Sequence, residues 1–277
     1  MGYPLATVDG APTSWGNTGT FYPNLMAKLT QRSATIAITG DDPEVSALGA
    51  DVLAYIPGMR EWEANITGFV FATPRLGNVG TITVNSGSGY TTHLKSWTMK
   101  LETPAVHDIT APGSQWRSKR PDRIGWSGNF VVRHDSSTPP VLPLLPPTGA
   151  TAATLANMTF TYGKDATDDK LTGDVILTNL TVTQPESGIV ELNYTFKGSG
   201  ALTAAGTNSL FTAGTLGVFP WDQMGSTTDY LLTVTAISGK TWSGSAFAKA
   251  ITIDVNTDGP VAVSIGAQGT GALTGPS

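Results

Sequence analysis

The chain of 277 residues contains no cysteine. That excludes a disulfide frame and a thiolate metal site, and it leaves the redox compartment open. Histidine is nearly as scarce, with only His93, His107 and His134. None stands at a metal-ligand spacing such as H-x-x-x-H, and with three a catalytic triad cannot be nominated. Charged residues make up 13% of the chain, against about 25% in ordinary globular proteins. No apolar run approaches the ~20 residues of a membrane span, so no membrane insertion is expected. The stretch MGYPLATVDGAPTSWGNTG has neither a basic n-region nor an apolar h-region and predicts no signal peptide. The net charge of −5 argues against a grip on nucleic-acid phosphates, which needs clustered Lys and Arg. It still permits a nucleic acid to pass without sticking, because like charges repel.

Thr, Gly, Ser and Ala fill the place of the missing charges. With 40% hydrophobic residues the composition is not that of a disordered chain. A surface poor in charge is easily desolvated, which suits a chain packed against copies of itself. The length allows one large domain or two units of roughly 130 residues, each able to bury a core.

Local motifs for chemistry fail on inspection. Gly239-Lys240-Thr241 resembles the end of a phosphate loop, but position 234, where the upstream glycine is required, is Val. Asp165, Asp168 and Asp169 lack the calcium-loop pattern and read as a solvated loop. There is no G-x-S-x-G elbow. Arg117, Lys119, Arg120 and Arg123 form the densest basic stretch, beside Trp116 and Trp126. In an otherwise acidic chain this stretch is expected to pair with carboxylates of a neighbouring subunit rather than with phosphate. The sequons at Asn65, Asn157, Asn179 and Asn193 read as strand composition. No catalytic, cofactor or metal site is expected, and no enzyme activity.

Most of the chain alternates as half-buried strands do. The segments are 34–39, 63–71, 80–84, 96–101, 128–133, 158–162, 175–183, 189–196, 230–236, 246–254 and 261–267. Turn chemistry separates them, as at Asn85-Ser-Gly-Ser-Gly89, Glu186-Ser-Gly188 and Thr257-Asp-Gly-Pro260. Gly188 and Gly259 are expected to supply the positive φ of tight hairpins. Short strands at this spacing predict a mainly β sandwich or barrel class. Residues 1–24 read as an N-terminal arm whose Tyr3, Trp15, Phe21 and Tyr22 have something to pack against. Residues 22–31 could form a short helix. The five prolines of 136–152 make that stretch a loop or edge cover. The connector 207–228 carries Phe211, Phe219 and Trp221 in a Gly-rich setting, where a further short helix is possible.

Two segments occur twice. Residues 173–203 align without a gap on 244–274, 71 positions on, with nine of 31 pairs identical and a shared ending G-x-G-A-L-T. Upstream, Val45 to Gly49 reads against Ile109 to Gly113, then Pro57 against Pro121, Trp62 against Trp126 and Asn65 against Asn129, all at an offset of 64. Residues 158–162 and 232–236 align at 74. The order is therefore front, front, back, back. We read it as one unit inserted in another: 25–75 with 207–277 outside, 76–206 inside, and 45–72 packed on 230–274. The repeat positions Gly49, Pro57, Trp62, Gly113, Pro121, Trp126, Gly198, Gly200, Gly269 and Gly271 are the expected structural anchors, the tryptophans as core or interface residues.

These motifs carry a resemblance. A strand, V/I-S/T-x-x-G, a P-G or P-D turn, then a Trp and a strand resembles the front of tail tube proteins of long-tailed bacteriophages. Here the residues are Val45, Ser46, Gly49, Pro57, Gly58 and Trp62, and again Ile109, Thr110, Gly113, Pro121, Asp122 and Trp126. The back half of that family is similar to Gly173, Leu180 to Thr183, Phe196, Gly198, Gly200 and Leu202. The resemblance covers about residues 34–274 and departs from the usual pattern in the order of the halves. It implies two packed antiparallel sheets with a flanking helix, in subunits that join into a barrel around a lumen. Rings stack into a tube, stapled by loops and arms, through which DNA leaves. Two units per chain imply a homotrimeric, pseudo-hexameric ring in the virion tail, assembled in the host cytoplasm. Tape measure, tail terminator and tail-tip proteins are the implied partners; DNA passes without specific binding.

The same unit also builds tail-tip hub rings. Two rivals stand outside the family. An immunoglobulin-like surface or fibre module predicts the order front, back, front, back and a monomer. A carbohydrate-active β-sandwich predicts carboxylates and aromatics converging in a cleft.

Overall fold

The computed structural model describes residues 15–16, 29–46, 53–70, 80–84, 94–103, 105–121, 125–134, 156–162, 170–184, 186, 189–205, 230–235, 241–256 and 259–275. Among them every regular element is a strand. These are β1 (Trp15–Gly16), β2 (Leu29–Gly40), β3 (Arg60–Val70), β4 (Thr81–Val84), β5 (Leu94–Glu102), β6 (Val106–Asp108) and β7 (Lys119–Pro121). They continue as β8 (Gly125–His134), β9 (Ala156–Thr161), β10 (Lys170–Thr183), β11 (Val190–Ala205), β12 (Tyr230–Thr235), β13 (Thr241–Asn256) and β14 (Ala262–Thr274).

The mainly β class is as the alternation requires. No flanking helix is found among the described residues. Residues 29–31, expected at the end of a helix, belong to β2, whose long ladder on β3 outweighs a weak local preference. The Pro-rich stretch 136–152, the connector 207–228 and the aspartates 165, 168 and 169 lie outside the described residues. Gly259 does not take positive φ; among the described glycines only Gly113, Gly200 and Gly271 do. Pro260 follows Gly259 and favours extended backbone before it, while the Gly259 N–H closes the turn on the Asn256 carbonyl at 3.3 Å. Gly188 lies outside the described residues.

All but β6 and β7 belong to one antiparallel sheet, running β2-β3-β14-β13-β5-β8-β11-β10-β9-β4, with β12 on β13 and β1 on β12. Positions 64 apart, Trp62 and Trp126, mark equivalent strands β3 and β8. Each pairs with a strand from the repeated back segment, β3 with β14 and β8 with β11. The flanks match too: Ile38 of β2 faces Trp62, and Leu101 of β5 faces Trp126. Trp15 of β1 faces Leu232, and Val84 of β4 faces Met158. The ladders slip at equivalent places, between Leu177 and Asn179 and between Ala248 and Ala250. Such bulges bend long strands.

The sheet curls so that strands apart in the ladder order meet. Trp97 of β5 lies 5.6 Å from Phe160 of β9, ring centre to ring centre, and Trp126 of β8 touches Gly173 of β10. One face of the sheet is thereby enclosed as a single hydrophobic core. Around Trp126 the core is aromatic, with Phe130 stacked on Tyr194 at 4.8 Å and Phe160 on Phe196 at 5.0 Å. Around Trp62 it is aliphatic, with Ile66, Ile251, Ile253, Val263 and Ile265 fully buried.

Candidate assembly surfaces

Each tryptophan is held by two glycines and a carbonyl. Trp126 covers Gly173 and Gly198, and a Cβ on either would run into the indole. Its Nε1–H donates to the Gly200 carbonyl at 3.1 Å. Trp62 covers Gly244 and Gly269 in the same way and donates to the Gly271 carbonyl at 3.2 Å. Gly200 and Gly271 both take positive φ, 76° and 80°, a region open to glycine at little cost. The shared G-x-G thus has a division of labour: the first glycine makes room for the indole, the second turns its carbonyl to the ring nitrogen. Gly173 and Gly244 make further room, a role that their spacing alone did not reveal.

The other anchors are less uniform. Pro121 is buried and pairs with Val106, whereas Pro57 is exposed. Gly113 has φ 82° in an exposed turn. Gly49 lies outside the described residues.

The front loops are built alike. In one, the Val45 N–H donates to the Ala54 carbonyl and the Ala54 N–H to Ser46 Oγ, both at 2.8 Å. In the other, the Ile109 N–H donates to the Ser118 carbonyl at 2.9 Å and the Ser118 N–H to Thr110 Oγ1 at 2.8 Å. Their surroundings differ. The 105–121 loop lies against β3 and β14: the Gly271 N–H donates to the Arg117 carbonyl at 2.9 Å, the Lys119 N–H to Thr270 Oγ1 at 3.2 Å, and Arg60 bridges Trp116. Thr270 is buried there. The described part of the 41–58 loop leaves Val45, Leu53, Tyr55 and Ile56 exposed.

The basic stretch finds its partners within the chain. Lys119 pairs with Glu61, and Arg117 with Asp41 at 3.4 Å and Asp108 at 3.6 Å. Arg120 is exposed and Arg123 lies outside the described residues. Hydrogen bonds from Thr110, side chain first and then N–H, hold the Asp108 carboxyl below its ordinary range.

The face of the sheet opposite the core is polar. Cross-strand partners place Ser33, Thr67, Ser264, Thr252, Lys100, Ser127 and Lys197 in one row over seven strands. Neighbouring hydroxyls and carboxylates are joined, as in Ser33 Oγ to Thr67 Oγ1 at 2.6 Å and Thr98 Oγ1 to Asp254 Oδ1 at 2.9 Å. Several charges on this side are joined in ion pairs, among them Lys95–Glu191 at 2.7 Å and Lys249–Glu63 at 2.9 Å. The four sequon asparagines all lie in strands.

Among the described residues, no group of three or more His, Cys, Asp or Glu is placed to hold a metal. No helix of the described residues is long and apolar enough to cross a membrane.

No family model matches the chain, and no curated protein does. Among solved structures, the chain is similar to a hybrid solid-state NMR and cryo-EM structure of the SPP1 tail tube. The identity is 13%, the match covers 52% of this chain and 83% of that one, and the TM-score is 0.37.

Proposed function

We propose that this chain is a structural protein of a bacteriophage tail, polymerising as stacked rings into a tube through which DNA is delivered. The observation that carries the reading is the internal junction between the two equivalent halves. There β5, the flank of one half, is paired along its length with β13 of the other. The equivalent flank, β2, has β3 on one side and no partner on its other side among the described residues. A repeated unit that joins its own copy by strand pairing, and presents an unpaired flank, is built to be continued by further chains. Such a head-to-tail contact makes a closed ring when its rotation closes. With two units per chain, three chains complete a pseudo-hexameric ring.

The division of the chain follows the same reading. Residues 25–75 with 207–277 form an outer unit and 76–206 an inserted one. The two Trp–Gly anchors close each unit, front upon back. The polar row of the sheet lines the lumen. The row is mostly Ser and Thr hydroxyls, and it holds no cluster of Lys and Arg that would grip phosphate, so DNA slides past. Tape measure, terminator and tail-tip proteins would meet this tube at its lumen and ends.

Electron microscopy of the purified protein tests the reading. Rings or tubes with a central hole are expected. Particles that stay monomeric across concentration and salt would overturn it.

A further inference from the structure

The β5–β13 junction shows how one half covers another. Ala250 to Asn256 of β13 face Glu102 to Ser96 of β5, and Ile251, Ile253, Leu101 and Met99 are fully buried there. The counterpart of β13 is β10, 71 positions earlier, and that of β5 is β2, 63 positions earlier by their ladders on Trp126 and Trp62. These counterparts are uncovered. Val182, matching Ile253, is 58% exposed, and Ile38, matching Leu101, is 47% exposed. Leu180 and Ile36 are partly buried against the core.

The loops repeat the contrast. Gln268 is buried against the Trp62 carbonyl, and Thr270 is buried beneath the 105–121 loop. Their counterparts, Lys197 and Ser199, are exposed and half-exposed. On the docking side, Arg117 and Lys119 lie half-buried, while their counterparts Leu53 and Tyr55 are 59% and 58% exposed. Two surfaces are thus left open, one presenting Val182 and the other Ile38, Leu53 and Tyr55, and each is the equivalent of one side of a junction already formed inside the chain.

We infer that the second half of β10, residues 179–184, takes β2 of another copy of this chain as its antiparallel partner, with Asn179 opposite Thr39 and Leu180 opposite Ile38. The 53–56 segment of the incoming copy then lies over Ser199 and Gly200, as 117–120 lies over Thr270 and Gly271. The register follows from the internal one by subtraction: Ala250 faces Glu102, and moving back 71 and 63 positions gives 179 and 39. A slip by one residue would turn Ile38 and Val182 to the polar face, so the register is fixed by burial. The inference deepens the proposed self-assembly and rests on it.

The absence of cysteine makes cross-linking a clean test. In Ile38→Cys with Leu180→Cys, and in Ala37→Cys with Thr181→Cys, oxidation after assembly should give a covalent ladder on a denaturing gel that ends at three chains. Ile38→Cys with Gln184→Cys, four residues out of register, should give none. All of these positions are exposed or half-exposed, so the fold of the single chain is kept. If microscopy shows rings but neither in-register pair cross-links, or the out-of-register pair does so as well, the junction is overturned and the ring reading survives. If the unaltered protein forms no assembly, the ring reading falls and the junction with it.

Discussion

Gly128 lies directly opposite Phe196 in the β8–β11 ladder, and a Cβ at 128 would run into both the Phe196 ring and the Thr98 carbonyl. At the equivalent positions Ala64 faces Ala267. One half fills its core with a ring set over a missing side chain; the other uses two methyl groups. Gly128→Ala should therefore destabilise the protein by about 1–3 kcal/mol, the usual cost of overpacking. Gly125→Ala, where nothing lies within 4 Å of the new Cβ, should stay within about 0.5 kcal/mol. Chemical denaturation of the two variants checks the contrast.

Trp62→Phe and Trp126→Phe each remove an N–H that meets a glycine carbonyl and open a gap over two glycines. A loss of about 2 kcal/mol is expected for each, from the lost hydrogen bond and the smaller ring. Because the two sites share their contacts, the two losses should be similar. Thermal unfolding of both variants measures this.

Tyr194 is fully buried, and its hydroxyl has no hydrogen-bond partner among the described residues. Tyr194→Phe should leave stability unchanged or raise it, since an unsatisfied polar group is removed without loss of the ring stack on Phe130. Burial pushes the Tyr194 phenol up to about 12 from 10.0. The folded state thus disfavours the charged form. This contribution is complete below pH 10 and is lost as pH rises toward 12. Phenolate absorbance during alkaline titration should show a late component from Tyr194, and that component should be missing from the Phe variant.

Asp108 is held ionised by Thr110. Its folded-state value lies below the unfolded one, so its small contribution is present above the ordinary carboxylate range and lost as pH falls through the folded value. Thr110→Val should move the Asp108 carboxyl back toward its ordinary value. Side-chain NMR titration of Asp108 in both proteins reads the shift; an unmoved value would show that the backbone N–H of residue 110, Arg117 and Lys119, rather than the Thr110 hydroxyl, hold it down.

Alternation made most of the strands legible, because one face of each, as in Trp62, Ala64 and Ile66, must go into the core. The three-residue strands β6 and β7 escape that pattern, since they carry no repeat long enough to show a period. The Trp and G-x-G repeats were visible, but not that each indole rests on two glycines, since β3 and β14 meet only through tertiary pairing. Arg117 and Lys119 were expected to meet carboxylates of another subunit. Their partners Asp41 and Glu61 lie in the same chain, and composition cannot tell a second copy from a distant segment of the first. The open flank was illegible for a related reason: β2 and β5 both alternate, and only the neighbour decides which is covered.

The order of the strands also sets an order of events. Phe130 meets Tyr194 after 64 residues, whereas Ile66 must wait for Ile265, 199 residues on. Long-range ladders close late because the intervening chain must first be confined. On a ribosome, β5, β8, β10 and β11 can zip up while the β2–β3 pair still lacks β14 to lie against. The flank that we propose joins other copies thus gains its β14 support only after that strand has been synthesised, so growth of the proposed polymer would wait for finished chains.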